Sequence, residues 1–294
     1  MKKADKKTNF LSLDKKYSSL NSSKAVVIPV IYSENRKAKS NILNVPQEIL
    51  KASAKLEHYD EEMGGELCLE KGIYTLGTLN LNKLSYQNVC KKLEKEISSL
   101  LDTDKTIAVV GGNHSLTFGA LKAFSHKYTS LSLLHIDSKA NLKQSWQSKS
   151  QHETLITRAA ELNIKIVQVG IRSQSKEEND LRLEKKIHQY LACEIKLGMY
   201  GADWQELVNK DLTDKVYITI DLSGFDPSVI REVENPEPGG LLWDELMYLF
   251  KIVGQDRTIV GFDVMGFVPG SASSSYYFIA KLIYKIFNFA LSKH

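Results

Sequence analysis

The chain has 294 residues, 43% of them apolar and 25% charged, with a formal net charge of +4. That is enough for one large domain or two small ones with a substantial core, in an ordinary soluble composition. Much of the positive charge is N-terminal, at Lys2, Lys3, Lys6, Lys7, Lys15 and Lys16. The cluster has no arginine and no interleaved aromatics, so residues 1–23 read as a disordered, solvated tail, and neither nucleic acid nor membrane is an expected partner. No apolar stretch is long enough to span a bilayer. No secretory apolar region follows the tail, because the run from Ala25 to Tyr32 is short and holds Pro29. Cys68, Cys90 and Cys193 are odd in number and scattered, which suggests neither a disulfide framework nor a zinc site, and a cytoplasmic protein is the default expectation.

After the tail, strand-like and helix-like segments alternate. Val26 to Tyr32 reads as a strand, and Pro46 to Leu56 as a helix with proline near its start. Gly72 to Leu76 is strand-like. Tyr86 to Leu101 carries Val89, Leu93, Ile97 and Leu100 at helical spacing. Thr106 to Val110 is an apolar run ending in Gly111-Gly112, and Ser115 is placed to cap a helix from Leu116 to Phe124. Four more strands are predicted at Leu131 to Ile136, Ile164 to Val169, Val216 to Ile220 and Thr258 to Val264. Helices are predicted at Glu153 to Leu162, Ala202 to Asn209, Trp243 to Val253 and Ser274 to Leu291. The strands alternate little, as strands buried on both faces do, so residues 24–294 read as one three-layer α/β/α domain around a mainly parallel sheet.

Three stretches sit just past predicted strands: Gly111-Gly112-Asn113-His114-Ser115, Asp137-Ser138-Lys139-Ala140-Asn141 and Asp221-Leu222-Ser223-Gly224-Phe225-Asp226-Pro227. The carboxyl ends of parallel strands are where such folds gather their chemistry. Asp137, Lys139 and Asn141 are spaced i, i+2, i+4, and if extended they face the same way.

These motifs resemble the metal-bearing motifs of the ureohydrolases, the arginase and agmatinase family, particularly its agmatinase-like branch. Asn235-Pro236-Glu237-Pro238-Gly239-Gly240 and Gly261-Phe262-Asp263-Val264-Met265 extend the resemblance, which runs from about residue 24 to the C-terminus. The resemblance implies an arginase/deacetylase-like sheet of roughly eight strands, and trimers or hexamers. It also implies hydrolysis of a guanidinium group to urea by a hydroxide clamped between two Mn²⁺ ions. His114, Asp137, Asn141 and Asp221 fall where the family holds one ion. Asp137, Lys139, Asp221 and Ser223 fall where it holds the other, with Asp137 and Asp221 as the bridging carboxylates. His152 aligns with a proton-shuttling histidine, and Gly266 with the glutamate that meets the substrate's guanidinium.

Three metal positions are therefore substituted, by Lys139, Asn141 and Ser223. An ammonium about 4 Å from a divalent ion repels it by roughly 8 kcal/mol at an effective dielectric near 20. A two-ion cluster is not expected. The leading expectation is a pseudoenzyme without a cofactor, acting as a binding, regulatory or structural subunit, with the Lys139 ammonium sitting between Asp137 and Asp221 in place of the metal. It would associate with itself or with an active paralogue. The alternative is an agmatinase-like hydrolase with one surviving Mn²⁺ or Zn²⁺ on His114, Asp137 and Asp221, with help from Asn141. A third reading makes Lys139 a base or nucleophile, against which its two carboxylate neighbours count.

Overall fold

The computed structural model describes residues 9–34, 40–111, 113–146, 150–270 and 274–293. Nine strands occur among them: β1 (Ala25–Ile31), β2 (Ile73–Thr75), β3 (Leu79–Asn80), β4 (Thr106–Val110), β5 (Leu131–Ile136), β6 (Lys165–Ile171), β7 (His188–Leu191), β8 (Lys215–Asp221) and β9 (Thr258–Met265). They form one sheet in the order β2-β1-β4-β9-β8-β5-β6-β7, with β3 added beside β1, and every pairing is parallel. The expected parallel sheet is present, one strand larger than the eight foreseen.

Burial on both faces explains why the strands alternate so little. Along β1, Val27 packs into one core while Val26 and Ile28 pack into another. The first core is covered by the helices Val45–Ser53, Trp204–Lys210, Trp243–Asp256 and Ser274–Leu291. The second is covered by Tyr86–Leu101, Leu116–Lys127 and Leu155–Ala159. The helix Tyr86–Leu101 buries Val89, Leu93, Ile97 and Leu100, the stripe its sequence periodicity marks. Ser115 does not cap the next helix with its side chain; its hydroxyl donates to Asn113 Oδ1 at 2.5 Å.

The expected disordered tail is corrected over residues 9–23. Short 3₁₀ turns at Phe10–Ser12 and Lys15–Tyr17 lay this segment on the core, where Phe10, Leu11 and Leu13 are buried. The Phe10 N–H donates to Thr75 Oγ1 at 2.9 Å, and the Leu11 N–H to Ser53 Oγ at 2.8 Å. Three apolar anchors thus outweigh the flanking lysines, and the domain begins ahead of residue 24. Lys2, Lys3, Lys6 and Lys7 lie outside the described residues, as does Gly112. No described helix is long and apolar enough to cross a membrane.

Candidate metal centre

The strand order opens the site. The chain passes from β4 to β5 and leaves between them a gap that β8 and β9 fill later. The carboxyl ends of these four central strands meet at that reversal, where open parallel sheets make a crevice. His114 follows β4, Asp137 follows β5, Asp221 ends β8 and Gly266 follows β9. The cleft there encloses about 280 Å³ and is lined by Glu34, His114, Asp137, Lys139, His152 and Asp221, among others.

His114 is buried and held at one ring nitrogen. Thr219 gives its hydroxyl hydrogen to Asp263 Oδ1 at 2.6 Å, so its oxygen accepts from His114 Nε2–H at 2.9 Å. Tyr217 donates to the other oxygen of Asp263 at 2.8 Å. The opposite nitrogen, Nδ1, is buried without a hydrogen-bond partner. It faces Asp221 Oδ2 at 3.2 Å and Asp137 Oδ2 at 3.4 Å. A lone pair aimed at two carboxylates is repulsive unless a cation or a proton lies between them. Burial opposes a charged ring here, but the Asp137 and Asp221 carboxylates override it and raise His114 to about 10. Burial likewise works against ionised Asp137, yet His114 and His135 hold its carboxyl well below the usual range.

These three donors fit a divalent ion. Bonds of about 2.0–2.2 Å place neighbouring ligand atoms roughly 3.0–3.5 Å apart. The two separations from His114 Nδ1 fall in that interval. His135 lies close enough that His114, His135 and Asp137 also form a possible ligand group. Its Nδ1, however, faces the Gln168 Nε2–H₂ donor at 2.9 Å, so Nε2 carries the hydrogen; Nε2 lies 3.2 Å from Asp137 Oδ2 but is buried without a hydrogen-bond partner. A nitrogen that carries its hydrogen cannot ligate, which leaves His114, Asp137 and Asp221 as the candidate ligands. His135 was legible in principle: it is the one histidine in an apolar strand, two residues before Asp137 and so on the same side.

The three substituted positions are built differently. Asp137 Oδ1 accepts from the Lys139 N–H and the Ser223 hydroxyl, each at 3.0 Å, and Oδ2 accepts from Asn141 Nδ2 at 2.6 Å. Asn141 and Ser223 have become donors to a carboxylate where the resemblance places ligands. Lys139 forms no ion pair with Asp137 or Asp221 among the described residues, which corrects the expectation that its ammonium lies between them. The cause is backbone geometry. The Lys139 N–H turns back onto Asp137, its backbone bridges to Ser173, and Asn141 is left-handed with φ 52°. The segment is not extended, so Asp137 and Asn141 meet without Lys139. Lys139 instead lines both the cleft and an adjoining groove shared with Lys143, Glu153 and Glu178.

His152 also lines the cleft, its Nδ1 2.6 Å from Ser150 Oγ. At Gly266, φ is +84° and an added Cβ would fall 2.4 to 2.6 Å from the Asp221 carboxylate. The missing side chain is therefore part of how Asp221 is seated. Arg172, unnoticed in the sequence, fixes the loop from the other side. Its guanidinium donates to the carbonyls of Ser223 at 2.7 Å, Phe225 at 3.2 Å and Glu237 at 2.8 Å. Asp226 closes the same loop by accepting from the Gly239 and Gly240 N–H groups at 2.8 and 3.0 Å.

An all-parallel sheet between helical layers, with carboxylates and imidazoles converging at its central strand ends, defines the class: a three-layer α/β/α fold with a candidate metal site. The profile of the arginase family matches residues 23–288, and the chain belongs to that family. It is 31% identical to N(1)-aminopropylagmatine ureohydrolase of Synechocystis over 273 residues, covering 90% of this chain and 88% of that protein. The crystal structure of agmatine ureohydrolase of Thermoplasma volcanium has the same fold, with a TM-score of 0.82 at 24% identity over 99% of this chain and 95% of that one. So does proclavaminate amidino hydrolase from Streptomyces clavuligerus, with a TM-score of 0.86 at 22% identity over 99% of this chain and all (100%) of the other.

Proposed function

We propose that this chain is an agmatinase-like amidinohydrolase built around one divalent cation, Mn²⁺ or Zn²⁺, that releases urea from a linear guanidine. The observation that carries this reading is His114 Nδ1, buried, unpartnered and aimed at the carboxylates of Asp137 and Asp221. Relatives named for agmatine and aminopropylagmatine hydrolysis support the substrate class. His114, Asp137 and Asp221 would hold the ion, and its charge would make a water acidic enough to attack at neutral pH. Asn141 keeps Asp137 oriented by donating to it, and Thr219 fixes the His114 tautomer. His152 offers Nε2 to the cleft as a proton acceptor, because Nδ1 is engaged with Ser150. The carboxylates of Glu34 and Glu234 on the cleft wall favour a cationic ligand.

One observation favours a second reading, a catalytically silent binding or regulatory subunit. Asp137 is already supplied with donors by Lys139, Asn141 and Ser223, and Gly266 offers no guanidinium anchor. One experiment separates the two. The purified chain is loaded with Mn²⁺, desalted and incubated with agmatine and with N(1)-aminopropylagmatine. Retained metal with urea release supports the enzyme; no urea from either substrate by the metal-loaded chain supports the silent subunit. A cytoplasmic trimer or hexamer, formed by this chain alone or with an active paralogue, completes the proposal.

A further inference from the structure

Glu34 stands three residues beyond the end of β1, on the cleft wall. One of its oxygens is fixed. Oε2 accepts from the Ser150 hydroxyl at 3.0 Å and from the Gln151 N–H at 3.1 Å. Since Ser150 gives its hydrogen to Glu34, the 2.6 Å contact to His152 is donated by His152 Nδ1–H, and the three side chains form one oriented chain. The other oxygen, Oε1, is buried and has no hydrogen-bond partner among the described residues. An unsatisfied buried carboxylate oxygen is costly, and a ligand cation is the partner that satisfies it best.

Glu34 also divides two compartments. On one side is the central cleft; on the other is a space of about 200 Å³ that it lines with Tyr32, Asn82 and Tyr86. Arg158, beyond Tyr86, donates to the Tyr86 hydroxyl and to the Gln151 carbonyl, and forms no ion pair with Glu34 among the described residues. Gly266 leaves the cleft without a carboxylate at the end of β9, and Glu34, beyond β1 on the other side of β4, is a fixed anion on the same edge of the sheet.

We infer that Glu34 is an ammonium anchor, selecting linear guanidines whose chain carries an ammonium beyond the single one of agmatine. This rests on the reading that the cleft takes a linear guanidine. A guanidinium held near His114 would direct an extended chain along the cleft, and a terminal ammonium against Glu34 Oε1 would join the Glu34, Ser150 and His152 chain without displacing it.

The test is isothermal titration of the Mn²⁺-loaded full chain with agmatine and with N(1)-aminopropylagmatine. The longer cation, with its additional ammonium, is expected to bind about tenfold tighter, the scale of one charge-assisted hydrogen bond. In Glu34→Gln the two should bind within about twofold of each other, with Mn²⁺ affinity unchanged. Ser150→Ala keeps the charge and should keep the preference. If a thermal melt shows that Glu34→Gln is unfolded, Glu34→Asp, which withdraws the carboxylate, should show the same loss. Equal binding of both cations by the wild-type chain, binding of neither, or a preference that survives Glu34→Gln would overturn the inference. Failure of the wild-type chain to retain Mn²⁺ would instead overturn the one-ion reading. The ligand ratio, measured on ion-free chain, would still decide the role of Glu34.

Discussion

Two buried carboxylates in this molecule have opposite surroundings. Asp60 is wholly buried and meets an ammonium: Lys285 Nζ lies 2.9 Å from Oδ1, and Asn288 Nδ2 donates to Oδ2 at 2.9 Å. The Glu62 and Met63 N–H groups complete its shell at 3.0 and 3.2 Å. Burial alone would push its carboxyl up, but Lys285 and Asn288 hold it below the usual value. Asp137, equally buried, shares its surroundings with Asp221 and Asp263, and the groups facing them are imidazoles, hydroxyls and amides rather than an ammonium. A closed network, in which Lys285 Nζ also meets the partly exposed Glu62 carboxylate at 2.9 Å, ties the helix Ser274–Leu291 to the loop before the helix Leu67–Glu70. At the strand ends two carboxylates, Asp137 and Asp221, instead converge on the single imidazole of His114. Both are rich in hydrogen bonds, so it is charge that distinguishes them.

If the comparison is right, the largest effect comes from unbalancing Asp60. Lys285→Met should cost about 3–5 kcal/mol, the usual result of leaving a buried charge unpaired. Chemical denaturation measures it, and adding Asp60→Asn should recover much of the loss. Mn²⁺ affinity should not change in either variant. The reverse pattern is expected at the cleft. His114→Ala should weaken Mn²⁺ binding at least about 100-fold, roughly 2.7 kcal/mol, with a smaller change in folding stability. Next comes the shell behind it: Thr219→Val, which frees the His114 tautomer, should weaken Mn²⁺ by about 10–100-fold, read by calorimetry.

Gly266→Ala should act at a similar or lower level, because its Cβ would meet the Asp221 carboxylate. Some tenfold loss of Mn²⁺ affinity is expected, together with a lowered melting temperature, because alanine is strained at φ +84°. The triple change Lys139→His, Asn141→Asp and Ser223→Asp sharpens the comparison in the other direction. It restores an imidazole and a carboxylate at the second position and a carboxylate at the first, and should raise the Mn²⁺ count from one to two per chain.

A gentler effect is the pH dependence of the ion-free chain. His114 is raised to about 10 in the folded state by Asp137 and Asp221, against burial. Its unfolded value is near 6.5. The stabilisation from its charged ring is therefore complete below about pH 6.5 and fades as pH rises toward 10. Thermal melts across that window should fall in the ion-free chain, and His114→Gln should flatten the slope. Asp137 has the opposite sign. Its lowered carboxyl stabilises above about pH 4, its unfolded range, and the contribution is lost as acid protonates it.

Much of this was legible in the sequence, and what was not has specific causes. Thr106–Val110 and Tyr86–Leu101 were readable to the residue because one is a pure apolar run and the other a clean helical stripe. The edge strand β7 escaped because His188 and Gln189 make it polar, as an edge position allows. Phe10, Leu11 and Leu13 were masked by the lysines around them, although burial responds to the apolar anchors rather than to the net charge of the segment. The ligand positions His114, Asp137 and Asp221 could be placed by their motifs because each follows a strand end. The direction of Lys139 could not, since it depends on a turn back to Asp137 and a left-handed Asn141 that alternation alone does not reveal.

The measurement that bears most directly on the one-ion centre is the Mn²⁺ content per chain after equilibrium dialysis, by elemental analysis, for wild type and His114→Ala. One ion per wild-type chain and none in the variant is the expected result. No ion in the wild type, or an ion that His114→Ala leaves in place, would contradict it.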